Sequence, residues 1–216
     1  MSAFHFPPEA VAFLTDLKAN NNREWFAEHK ADFETYVKAP SEAFCRLIVE
    51  ALDSMTGGEH RSKMFRIYRD VRFAKDKTPY KAYQHILFAT GDHRQTSSAW
   101  FFGLEPDRLM LGAGKFSFDG EGLVRYREAV AGKRGAELAQ ILDGLQGQGA
   151  RLNDPPLKRV PSGYDKDHPR ADLLRRKGLA LWIDLDVSAA SEGDLVATCT
   201  AEFERLRPLV GWLEEV

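Results

Sequence analysis

The chain has 216 residues, 44% hydrophobic and 29% charged, and its 30 Lys and Arg nearly balance its 32 Asp and Glu for a formal net charge of -2. Such a composition is that of a globular protein and excludes general disorder; a chain of this length buries roughly 70% of the surface its unfolded form exposes, so neither disulfide nor metal is needed for folding. The overall charge does not point to nucleic acid or to a membrane, and no apolar run reaches the roughly 20 residues that a bilayer span requires.

Met1 to Glu9 has no basic stretch followed by an apolar one, so no signal peptide is expected there. Pro7-Pro8-Glu9 opens a helix with Phe13, Leu14 and Leu17 on one face. Asn20-Asn21-Asn22 interrupts it, and Asn21 followed by Glu24 resembles a capping box. Trp25, Phe26, His29, Phe33, Tyr36 and Val37 then recur at helical spacing. Pro40 restarts the chain into a third amphipathic helix carrying Phe44, Leu47, Ile48, Ala51, Leu52 and Met55, which Gly57-Gly58 ends.

The period then changes. Met64 to Phe73 alternates as a strand would, and Gln84 to Thr90 reads as a short buried strand. Ser98 to Leu104 and Leu109 to Leu111 form a hairpin pair around the turn sequence Glu105-Pro106-Asp107-Arg108. Gly112-Ala113-Gly114 lacks the rest of a dinucleotide fingerprint and reads as a loop or hairpin end. Helical spacing returns from Gly120, with Leu123, Arg127 and Val130 on one stripe and Leu138, Ile141, Leu142 and Leu145 on another. Gly144 to Gly149 reads as a loop, Leu179 to Asp186 as a late strand, and the C-terminus as a helix that Pro208 kinks or restarts. Helices first, then strands, then mixed elements predict an α+β fold. It is expected as a single domain over 1–216, with N-terminal helices packed on a mostly antiparallel sheet and further helices toward the C-terminus. Cys45 and Cys199 sit in helical apolar patterns and are expected as buried free thiols in a cytoplasmic protein.

The small net charge conceals segregation. Residues 61–81 carry 8 basic and 2 acidic side chains and residues 158–177 carry 7 and 3, whereas 1–60 carry 5 and 10 and 178–216 carry 2 and 8. Two short basic segments in an acidic chain favour a compact anionic ligand over a long duplex tracked across a face. The first segment contains FRIYRDVRFAKDKTPYK, Phe65 to Lys81. Read as a strand, it places Arg66, Tyr68, Asp70 and Arg72 on one face and Phe65, Ile67, Val71 and Phe73 on the other. Arg69 falls on the apolar face, which calls for a bulge, a strand end, or burial with a partner such as Asp70 or Asp76. Arginine forks at these spacings converge on one phosphate or carboxylate. Lys77 and Lys81 in the following loop close over it, and Tyr80 stacks on a ring or donates its hydroxyl.

The candidate ligand-binding residues are therefore Arg66, Arg69, Arg72, Lys77, Tyr80 and Lys81. From the second segment Lys158 and Arg159 join them, with Tyr164 beside them and His168 a possible proton donor. Arg175, Arg176 and Lys177 have a structural reading, as cations at a helix C-terminus. Asp70 and Asp76 either hold the arginine forks or act as acid and base. No metal or cofactor is expected, because two carboxylates among so many cations make a poor hard-cation site.

NNREWF at Asn21 to Phe26 and the long basic segment together resemble the bacterial and fungal domain-of-unknown-function family 2461. Its pattern R-x-x-R-D-x-R-F-x-x-[DN]-K-x-x-Y falls on Arg66, Arg69, Asp70, Arg72, Phe73, Asp76, Lys77 and Tyr80. GAGKF at Gly112 to Phe116 and LKRVPSGYDKDHP at Leu157 to Pro169 are also family-like. The resemblance spans nearly the whole chain and implies one domain; it implies no activity.

Three functions are open at this point. One is binding of a compact anion: a nucleotide, a phosphorylated metabolite or a nucleic-acid end. Another is a hydrolase or transferase acting on a phosphorylated substrate through Asp70 or Asp76. The last is a protein-interaction module whose arginines and aspartates form an internal network.

Overall fold

A computed structural model of the chain describes residues 3–91 and 97–216. It is an α+β protein with a six-stranded antiparallel sheet. The N-terminal helices are α1 (Pro8–Ala19), α2 (Arg23–Glu28), α3 (Lys30–Asp32) and α4 (Ala39–Thr56). The strands are β1 (His60–Met64), β2 (Gln84–Thr90), β3 (Ala99–Leu104), β4 (Leu109–Lys115), β5 (Arg151–Leu152) and β6 (Leu179–Leu185), in the spatial order β1-β2-β3-β4-β6-β5. Helices α5 (Gly120–Ala131), α6 (Arg134–Gly147), α7 (Ala171–Leu174) and α8 (Leu195–Glu214) complete the chain. Among the described residues no helix is long and apolar enough to cross a membrane.

The chain divides into two compact units. The first comprises Met1–Phe88, Phe101–Leu111 and Asp184–Ala201. Its core is aromatic: Phe44 of α4 lies 4.5 Å from Phe102 of β3 and 6.4 Å from Phe88 of β2, and Phe6 stacks on Phe102 at 6.0 Å. All four rings are fully buried, which is the apolar payload that holds helices onto strands. The N-terminal helices differ from the expected pattern in one respect. Phe33–Lys38 forms a π-helical stretch between α3 and α4, in which the Ala39 amide donates to the Glu34 carbonyl. Pro40 has no N–H to give; the widened turn just before it carries the helix past the proline instead of ending it. Gly57 closes α4 in the left-handed region (φ 74°), where its missing Cβ removes the steric cost.

The second unit comprises Ala89–Trp100, Gly112–Ile183 and Glu202–Val216. Tyr126 of α5 is its centre, stacked on Phe118 at 4.5 Å, edge-on to Trp212 at 6.3 Å, and donating its hydroxyl to the Leu173 carbonyl at 3.1 Å. Burial pushes that phenol far above its ordinary pKa. β5 pairs antiparallel with β6, with Arg151 opposite Trp182 and Leu152 opposite Leu181.

Both cysteines are buried and neither forms a disulfide. Three sequence readings need correction. Gly112-Ala113-Gly114 lies inside β4, not in a loop; a Cβ on Gly112 would meet the Trp182 ring at 2.6 Å, so the glycine admits β6. Gly144 belongs to α6, which runs on to Gly147. The third concerns the basic segment: the strand predicted over Met64–Phe73 stops at Met64, and the rest is irregular. Of the two roles offered for Pro208, a kink or a restart, the continuous α8 excludes the restart.

Candidate functional site

Beyond β1 the motif folds back on itself. Tyr68 and Tyr80 form an isolated antiparallel bridge, flanked by hydrogen bonds from the Arg69 amide to the Pro79 carbonyl (2.9 Å) and from the Lys81 amide to the Ile67 carbonyl (2.8 Å). The residues between make a protruding loop. It is pinned at its base by α2 and the turn before it: Phe26 stacks on Tyr80 at 4.1 Å, and the Asn21 side chain bonds both backbone groups of Tyr80 at 3.0 Å each. The capping role expected of Asn21 falls to Asn22, whose side chain accepts from the Trp25 amide at 2.9 Å.

Two arginines of the loop are tied to its own aspartates. Arg69 donates to Asp76 at 2.5 Å and also contacts the Thr78 hydroxyl. Asp76 accepts in addition from the Thr78 amide at 2.9 Å and the Thr78 hydroxyl at 3.0 Å. These hydrogen bonds, the Thr78 amide first, hold the Asp76 carboxyl down at about 2. Arg72 grips Asp70 through Nε (2.9 Å) and Nη2 (2.7 Å), and Asp70 is likewise held below the usual carboxylate range. The Arg72 side chain is 76% exposed. Lys77, although exposed, donates to the Val71 carbonyl at 3.0 Å and so helps to close the loop. Phe73, placed on the apolar face by the strand reading, is 95% exposed.

Beside the loop lies a cavity of about 500 Å³ lined by, among others, Lys18, Arg69, Lys81, Tyr83, Glu105 and Asp107. Asp76, Thr78, Asn21 and Tyr80 also reach it. Three cations and three carboxylates face this space, but two of the carboxylates are committed. Asp76 holds Arg69, and Glu105 accepts from Arg108 Nε at 2.9 Å. Among the described residues Lys18, Lys81 and Asp107 make no ion pair. Lys81 sits 5.6 Å from the Phe65 ring centroid, and burial together with the Arg66 and Arg69 charges depresses its pKa. Arg66 has no hydrogen bond or ion pair among the described residues.

Behind the cavity wall is a titratable pair that the sequence did not announce. His85 Nε2 lies 3.3 Å from Glu105 Oε1, between Tyr83 (ring centroids 3.9 Å apart) and Phe101 (4.9 Å). Burial pushes this imidazole below its ordinary value, against the opposing pull of Glu105. A lone His at a strand start and a Glu at a hairpin turn carry no motif; only the fold joins them.

The arrangement thus brings Arg69, Tyr80 and Lys81 to one cavity with Asp76. Arg72 and Lys77 are absent from its lining. The chain matches the family of conserved hypothetical proteins DUF2461 over residues 9–212. It belongs to that family. No curated protein matches it. The arginine-rich segment is thus, in this member, a self-bonded loop at the edge of a cavity.

The second basic segment belongs to the second unit of this DUF2461 member. Lys158 and Arg159 are exposed there, and the Lys158 carbonyl accepts from Arg175 at 3.5 Å. His168 Nδ1 accepts from the Arg170 amide at 3.0 Å, a turn-closing role. Arg170 in turn caps α5 by donating to the carbonyls of Val130, Ala131 and Gly132. Among the described residues no three His, Cys, Asp or Glu side chains cluster as metal ligands do.

Proposed function

We propose that this DUF2461 protein binds a compact anionic ligand, such as a nucleotide, a phosphorylated metabolite or a nucleic-acid end, in the cavity beside the motif loop. The observation that carries the reading is Lys81: a partly desolvated ammonium on the cavity wall, near Arg66 and Arg69 and with no carboxylate paired to it among the described residues. A bound anion supplies the missing countercharge. Lys18 adds a second cation without an ion pair among the described residues, and the Tyr83 ring offers a surface for a planar group. Asp70 and Asp76 stay ionised at neutral pH and locked to arginines, so in this reading they organise the loop and move no proton.

The pairing of Arg69 with Asp76 and of Arg72 with Asp70 favours a second reading, in which the motif is a structural network that shapes the loop for a protein partner. A thermal-shift titration at low salt separates the two. Inorganic phosphate, nucleoside monophosphates, sugar phosphates and a 5′-phosphorylated oligonucleotide are the probes. One class raising the midpoint in the wild type but not in Lys81→Gln supports the cavity site. No shift with any of them supports the network reading.

A further inference from the structure

The second unit holds an arginine that its surroundings leave incompletely bonded. Arg176 is only 6% exposed. Its Nη1 donates to the Asn153 carbonyl at 2.5 Å, but its Nε is buried with no partner, and Nη2 has none among the described residues. Among the described residues no carboxylate lies within ion-pair distance of it. Native proteins rarely leave a guanidinium in this condition, because unsatisfied buried donors of a charged group are costly.

Arg176 lines two cavities. The larger, about 420 Å³, also presents Asp143, Asp154 and Asp172, an acidic wall. The smaller, about 200 Å³, sets Arg176, Lys115 and Lys177 against the single carboxylate of Asp154, with the Phe116 and Trp182 rings alongside. The Lys115 ammonium is anchored by the Leu213 carbonyl at 2.8 Å and keeps further donors. The backbone builds this space deliberately. The Phe118 amide donates to the Lys177 carbonyl at 2.8 Å, and Gly178 packs so closely on the Phe116 carbonyl that no Cβ fits there. That close approach brings the end of GAGKF against the end of the second basic segment.

We propose that this smaller cavity is an oxyanion site, taking a phosphate or carboxylate group through Arg176 with Lys115 and Lys177 completing its countercharge. The guanidinium supplies Nη2, its end nitrogen without a partner among the described residues, as a charge-assisted donor to the oxyanion, and the aromatic walls admit a small ring carried on that group. Its residues belong to the second unit, so the site does not depend on the motif loop.

Amide-resolved NMR of the ¹⁵N-labelled full chain, titrated separately with inorganic phosphate and with benzoate at low salt, tests this. The expected result is saturable shifts at Phe116, Lys177 and Gly178 with at least one probe, weakened tenfold or more in Arg176→Lys and in Lys177→Gln and unchanged in Lys81→Gln. Saturation with phosphate alone marks a phosphate site, and saturation with benzoate alone marks a carboxylate site. Shifts that grow linearly to high concentration with both probes, or the same affinity in folded Arg176→Lys and Lys177→Gln, overturn the proposal. Lys177 is exposed, so Lys177→Gln decides the matter if Arg176→Lys does not fold.

Discussion

Asn21 stands in for a β-strand beside Tyr80. Its side-chain amide donates to the Tyr80 carbonyl and accepts from the Tyr80 amide, both at 3.0 Å, which is the paired exchange a neighbouring strand would make. On the other side, the Tyr68 backbone pairs with Tyr80. A segment 59 residues away in sequence therefore fixes the return arm of the motif loop, and with it the position of Lys81.

Replacing Asn21 by Ala removes both bonds and leaves a buried backbone pair seeking water. The expected loss is about 1–3 kcal/mol of stability, read as a lower urea midpoint at unchanged m-value. Because the loop arm carries Lys81, the same variant weakens any anion-dependent stabilisation seen in the wild type. A midpoint equal to wild type would show that the clamp is not needed.

The Asp76 turn makes a prediction in acid. Its carboxyl is held at about 2 in the folded chain against an ordinary value of 3.8, so the folded state keeps it ionised where the unfolded state protonates it. The stabilisation is fully present above about pH 4 and is lost as the pH falls through about 2. Urea midpoints measured from pH 5 to pH 2 should fall more steeply in the wild type than in Asp76→Asn. Parallel profiles would remove Asp76 from the acid response.

What the sequence disclosed follows physical lines. Periodicity located the N-terminal helices, the β3–β4 hairpin and β6, because burial on one side imposes it. It misled at Met64–Phe73, where apolar and polar residues alternate without a strand. There Ile67 is buried, but Phe73 is exposed and the arginines bond locally to Asp70 and Asp76. Charge clustering drew attention to this segment, and of the two partners weighed for Arg69, Asp70 and Asp76, it is Asp76 that the loop supplies. Asn21 was read only as a helix cap; its bond to Tyr80 joins residues too far apart for local spacing to reveal. Nor could spacing single out Arg176 from Arg175 and Lys177, since burial alone separates the three.

His85 gives a second pH response, nearer neutrality. Burial between Tyr83 and Phe101 lowers its pKa, so the folded chain binds fewer protons there than the unfolded one. Stability therefore falls as the pH drops from the ordinary histidine value toward the folded one, and the loss is complete below it. In His85→Gln the denaturation midpoint should decline less between pH 7.5 and pH 5.5 than in the wild type. A steeper decline in the variant would mean that Glu105 dominates and that the folded pKa is raised.

The two paired arginines of the loop should behave differently when truncated. Arg72 is three-quarters exposed, pairs with Asp70, lies 5.9 Å from the centroid of the exposed Phe73 ring and is outside the cavity lining, so Arg72→Ala should leave the urea midpoint unchanged, as surface ion pairs usually do. Arg69 is about a quarter exposed, bonds both Asp76 and Thr78, and lines the cavity. Arg69→Ala should lower the midpoint and abolish anion-dependent stabilisation together, since one guanidinium both braces the turn and charges the cavity wall. Arg69→Lys keeps the charge but not the fork, so it should retain part of the anion response while losing stability. Equal effects of Arg69→Ala and Arg72→Ala on both readouts would mean that the loop acts through its net charge and not through the geometry of Arg69.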